Sequence, residues 1–186
     1  MIPPRQEIDA SLRAALRLFV LDGNALSGFN RSIEGFWRSF FAAVFTLPYY
    51  IVLLWTPYQS GEIGLVPAAL YFVAGWTVFP LVAAVLVRFL RLGGNYVSYI
   101  IAYNWAGALM AQPMLLLLLL QRGGVIGLDG LSTFVFILYL AFLWYSWAIA
   151  RLALGTGIVT ACGFVILAEL IDMLLRVLLL VPGNGA

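Results

Sequence analysis

The sequence predicts an all-α fold: a polytopic integral membrane bundle of five transmembrane helices preceded by an amphipathic N-terminal helix. Three observations carry that expectation. Hydrophobic residues make up 64% of the 186-residue chain and charged residues only 10%, which leaves too few polar side chains to clothe a soluble domain of this size. After a polar N-terminal stretch come five apolar runs, each near the roughly 20 residues that a helix needs to cross a hydrocarbon core. All ten basic residues are Arg, and they gather on alternate connections.

The first element spans Gln6 to Leu21. Ile8, Leu12, Ala15, Leu16 and Phe19 recur at three- and four-residue spacings while Asp9, Arg13 and Arg17 occupy another face, the pattern of an amphipathic helix. Asp9 precedes Arg13 in the favourable i,i+4 order, and Asp22-Gly23-Asn24 supplies a stop. Arg13 and Arg17 interrupt what would have to be the apolar core of a signal peptide, so cleavage is not expected. Residues 1–31 are therefore expected as a cytoplasmic segment lying on the membrane surface or against the bundle. Residues 32–186 then form the transmembrane domain, with Asn30 or Ser32 as the N-cap and Glu34 in the first turn.

The expected spans are Phe36 to Trp55, Leu65 to Val87, Tyr96 to Leu120, Leu131 to Ala150 and Ile158 to Val181. Turn formers separate them: Pro57 and Gly61, then Gly93-Gly94-Asn95, then Gly123-Gly124 with Asp129-Gly130, then Gly155-Thr156-Gly157. Arg5, Arg13, Arg17, Arg31, Arg38, Arg88, Arg91 and Arg151 fall on one side of this arrangement. The other side holds Arg122 with the acidic Glu62 and Asp129, and Arg176 lies inside the last run. Basic residues stay cytoplasmic, so the N-terminus is expected inside and the C-terminus outside. Arg without Lys, with abundant Ala, Gly and Leu, suggests GC-rich codons and a bacterial inner membrane.

Much chemistry is excluded by what is missing. There is no His, and Cys162 is the single Cys. Histidine-ligated metals, haem, zinc clusters and Ser-His triads lack their residues, and no cofactor is expected. An internal disulfide needs a second Cys, and Cys162 is expected as a small buried hydrophobe. A scattered net charge of +2 does not point to nucleic acid.

Among the polar residues, Glu169, Asp172 and Arg176 stand out, because their spacings put them on one face of the fifth helix. A charged side chain at mid-bilayer costs about 2.5–3.5 kcal/mol on insertion scales, so this face should turn into the bundle. It invites two readings: Asp172 pairs locally with Arg176 and Glu169 is protonated or hydrogen-bonded to another helix, or the group relays protons or ions. Asn104 and Gln112 bracket Glu169 in depth, at about 1.5 Å per residue, and are expected to join it in a polar layer. Gly107 and Ala111, then Ala153, Gly157 and Ala161, follow small-xxx-small spacing and are expected at helix contacts. Pro48, Pro80 and Pro113 are expected to bend the first three spans. Tyr49, Tyr50, Trp55 and Tyr58 at one end, with Trp144, Tyr145 and Trp147 at the other, read as interfacial belts. Tyr96, Tyr99 and Tyr103 form a stripe that either lines a lipid groove or packs.

Several local patterns together resemble the Yip1 family of five-span membrane proteins. They are the segment before the first span, Gly93-Gly94-Asn95-Tyr96 with Tyr99-Ile100-Ile101-Ala102-Tyr103 and Pro113, and Trp147-Ala148-Ile149-Ala150-Arg151-Leu152-Ala153-Leu154 before the last span. The acidic-Leu-Tyr-Gly-Pro signature of eukaryotic members is absent. The resemblance implies a compact five-helix bundle acting as a scaffold or partner-binding protein. The expected function is accordingly non-enzymatic: a scaffold or accessory subunit binding membrane lipids, other integral membrane proteins or its own copies. A small transporter or proton conductor using the polar layer is the alternative.

Overall fold

The computed structural model describes residues 1–54 and 64–180. Trp55, Pro57, Tyr58, Gly61, Glu62 and Val181, named above, lie outside the described residues. Within them the regular structure is helical: α1 (Arg5–Phe19), α2 (Ile33–Ser39), α3 (Ala42–Leu54), α4 (Leu65–Phe89), α5 (Tyr96–Arg122), α6 (Leu128–Leu154) and α7 (Ile158–Leu179), with short 3-10 turns at Gly23–Gly28 and Gly93–Asn95. Among the described residues five stretches are long and apolar enough to cross a membrane: Ile33–Leu54, Leu65–Phe89, Gly93–Arg122, Leu128–Leu154 and Ile158–Leu179.

The first of these is two helices in tandem. Ser32 caps α2 by accepting from the Gly35 amide at 3.0 Å, with Glu34 in the first turn where the helix dipole favours a carboxylate. At Phe40 and Phe41 the backbone switches to i→i−3 bonds, which tighten the chain into a turn before α3 begins. Pro48, Pro80 and Pro113 lie inside α3, α4 and α5; each removes one backbone donor from its helix.

The spans form a ring. α3 packs on α5, α5 on α6, α6 on α7 and α7 on α4. α4 returns to α3 through Tyr50, whose ring centroid lies 4.9 Å from that of Phe72 and 6.3 Å from that of Tyr71. The close-packed core occupies the end of the ring that carries α1. It takes Phe79, Ala83 and Val87 of α4, Tyr99 to Ala108 of α5, Tyr145 to Leu154 of α6, and Ala161 and Phe164 of α7. Toward the opposite end packing loosens: α6 buries nothing before Tyr145, and α7 nothing after Ala168.

α1 docks across that packed end, against α5 and α6. Its buried positions are Ser11, Ala14, Ala15 and Leu18, with Ile8, Leu12 and Phe19 partly covered. Leu16, expected on the same face, is 54% exposed instead, because the contact is centred on the small residues that let α1 approach. The Tyr145 hydroxyl donates to the Ala15 carbonyl, and the Trp144 indole donates to the Phe19 carbonyl at 3.2 Å. Tyr145 is thus a buried anchor for α1, not the belt residue expected. Glu7 joins α1 to α2: it accepts from Arg38 at 2.9 Å and from the Asn30 side-chain amide at 3.2 Å. Asp9 and Arg13 form no ion pair among the described residues; the acidic partner of consequence is Glu7.

Two joints show how the helices turn. Gly155 ends α6 at φ 64°, a left-handed conformation that glycine adopts without a Cβ clash. Beside it the Asn95 side chain donates to the Leu154 carbonyl at 2.9 Å, tying the end of α6 to the start of α5. α1 and α4 end in the same left-handed manner at Leu21 and Arg91, where glycine is the usual residue.

Candidate functional site

Where packing loosens, the five spans line a half-open chamber of about 340 Å³. α3 contributes Thr46, Tyr49 and Tyr50; α4 contributes Tyr71, Trp76 and Phe79; α5 contributes Tyr103, Asn104 and Gly107; α6 contributes Tyr139 and Phe142; α7 contributes Glu169, Asp172 and Arg176. A chamber arises here because aromatic side chains prop the helices apart while glycines leave the centre empty. Gly107 illustrates this, since a Cβ there would meet nothing within 4 Å.

One wall of the chamber is charged. The Arg176 guanidinium donates to Asp172 at 2.6 Å, one turn away on the same helix. Asp172 also accepts from the Tyr71 hydroxyl of α4 at 2.5 Å, and Arg176 lies 5.7 Å from the centroid of that ring. The three side chains form a closed triangle joining α7 to α4. Glu169, one turn earlier, accepts from the Tyr139 hydroxyl of α6 at 2.7 Å. The charged face of α7 thus bonds to both neighbouring helices through phenols. A hydrogen bond from a charged donor, such as that from Arg176 to Asp172, is among the stronger side-chain bonds.

The expected polar layer is only partly assembled. Asn104, Glu169, Asp172 and Arg176 all line the chamber, but Asn104 turns to the first span, donating to Ser39 at 2.9 Å in a fully buried bond. Gln112 donates to the carbonyls of Phe45 at 3.0 Å and Ala108 at 2.9 Å, and Glu169 bonds to Tyr139 instead of either amide. The reason lies in helix order: α5 sits between the first span (α2 and α3) and α6, so its amides find partners on α2, on α3 and on its own backbone.

Two of the small-residue contacts need the same correction. Ala111 and Ala161 are buried, yet Gly107 opens into the chamber and Gly157 is the exposed residue preceding α7, with nothing near either. The glycines at true close approaches are Gly28, where a Cβ would lie 2.9 Å from that of Ala14, and Gly35, where it would lie 1.9 Å from the Asn30 carbonyl oxygen. Cys162, expected inside, is exposed on α7, because that helix packs through Ala161, Phe164 and Ala168. Tyr99 is buried against Phe79, Tyr103 and Phe164, so the tyrosine stripe of α5 packs at one end and lines the chamber at the other.

Sequence reasoning passed over Tyr71, Trp76 and Tyr139. Each is an aromatic in an apolar run, and its one available signal is a hydroxyl or indole group that needs a partner once buried. Among the described residues there is no group of three or more His, Cys, Asp or Glu placed to hold a metal ion. Compared with protein-family models, curated proteins and solved structures, the chain finds no match.

Proposed function

We propose that the chain is a non-enzymatic membrane protein that holds an amphiphilic molecule of the bilayer in its five-span chamber and serves membrane-protein partners as a scaffold or accessory subunit. The observation that carries this reading is the chamber's composition: apolar and aromatic walls from all five spans with one polar wall on α7, the pairing that small-molecule sites use. Its carboxylates are engaged by tyrosine hydroxyls, which fits holding a ligand better than activating a nucleophile.

The proposed location is a bacterial inner membrane, supported by Arg without Lys and abundant Ala, Gly and Leu, and the proposed orientation has the N-terminus inside and the C-terminus outside, supported by the distribution of the arginines. In that orientation α1 is an amphipathic helix on the cytoplasmic side, where Leu16 and Trp37, 54% and 59% exposed, are available to the interface. A scaffold role agrees with the likeness to Yip1-type proteins.

The test is native mass spectrometry of chain released from nanodiscs. One amphiphile retained per chain, and lost when Gly107→Phe fills the chamber, is the expected result. Equal retention by both forms would overturn the reading. The second reading, a small transporter or proton conductor, is favoured by Glu169 and Asp172 each having a phenol partner at the chamber wall. Flux into proteoliposomes abolished by Glu169→Gln would establish it in place of the first.

A further inference from the structure

Resting on the chamber as a binding site, we infer that its occupant is a hydrophobic monovalent cation. The charge balance of the polar wall points there. Asp172 is neutralised by Arg176 at 2.6 Å, whereas Glu169 accepts from a neutral phenol and belongs to no ion pair among the described residues. Glu169 is thus the carboxylate of this wall that lacks a cationic partner among the described residues.

The remaining surface amplifies that preference. Trp76 and Tyr103 line the same chamber, and aromatic faces carry negative potential that attracts a cation and repels an anion. A cation with bulky apolar substituents meets three requirements together: it gives Glu169 a counter-charge, sets positive charge beside rings, and fills a volume within the roughly 300–1,000 Å³ of small-molecule sites. A neutral lipid tail would satisfy the walls and leave Glu169 without a counter-ion. An anionic headgroup would compete with Asp172 for Arg176 and would leave Glu169 without a counter-ion.

Tetraphenylphosphonium and tetraphenylborate test this, because they share shape and apolarity and differ in the sign of charge. Saturable binding of each to the full chain in zwitterionic nanodiscs is measured by equilibrium dialysis, with empty nanodiscs subtracted to remove partitioning. The phosphonium should bind at one per chain and the borate at least about tenfold more weakly. In Glu169→Gln, which keeps an acceptor for Tyr139, the preference should fall to about threefold or less, while Tyr139→Phe, which keeps the carboxylate, should retain it. Equal saturable binding of both ions to the native chain overturns the cation inference and leaves the chamber reading standing. An unchanged preference in Glu169→Gln also overturns it. Saturable binding of neither ion overturns both.

Discussion

At the scale of single residues, two glycines that look alike in sequence do opposite things. A methyl group at Gly35 would sit 1.9 Å from the Asn30 carbonyl oxygen, whereas one at Gly107 would meet open space. Gly35→Ala should therefore cost about 3 kcal/mol of stability, the upper range for overpacking. Gly107→Ala should gain about 0.5–1 kcal/mol, since alanine is the better helix former and nothing obstructs it. Denaturation of the two variants in mild detergent checks the pair: loss at position 35 with gain at 107. Sequence spacing singled out Gly107 as a helix contact and passed over Gly35, because spacing reports which residues share a face and not what stands opposite. Asn104 was legible as an intramembrane polar residue but was expected beside Glu169, whereas its partner is Ser39, because depth can be counted along the chain while pairing depends on helix order.

At the scale of elements, α1 is held by a few definite bonds. Tyr145→Phe removes the hydroxyl that reaches the Ala15 carbonyl and should weaken docking by about 1 kcal/mol. Faster amide exchange along α1, with little change in α5, is the expected signature. Glu7→Gln breaks the Arg38 pair, whose side chains are 23% and 15% exposed, and should leave α1 more readily cleaved by protease. The Arg17–Asp22 pair is more open and should respond to salt more than the Glu7–Arg38 pair does.

Asp22 also gives the end of α1 a pH dependence. The Arg17 guanidinium, and next the Asn24 amide, hold its carboxyl below the usual carboxylate range. A lowered folded-state pKa contributes stability that is present above the unfolded value of 3.8 and is lost as pH falls through the folded one. Amide protection at Leu21 and Asp22 should accordingly drop on acidification below 3.8 and persist above it; a loss beginning near neutrality would contradict the assignment. That α1 would be a helix was legible in its spacing. That Leu16 faces outward and Tyr145 faces α1 was not, because a belt tyrosine and an anchor tyrosine have the same sequence environment.

At the scale of the molecule, the five long apolar helices were legible, since length and hydropathy alone decide whether a helix suits a bilayer. The turn at Phe40–Phe41 was not, nor was the chamber, which follows from the ring order of the spans and from aromatic residues holding the far ends apart. The charged face of α7 was visible as an anomaly, but its partners Tyr71 and Tyr139 emerge only once α4 and α6 flank it.

The central claim is that this chamber is occupied by an amphiphile. Its most direct measurement is photo-crosslinking from within, with p-benzoylphenylalanine replacing Tyr103 at the chamber wall and, for comparison, Met173, 58% exposed on the outer surface of α7. An occupied chamber yields one defined small-molecule adduct from position 103 and a mixture reflecting the bilayer from position 173. Crosslinks from position 103 that reach only the protein's own side chains, or that return the same mixture as position 173, would contradict it.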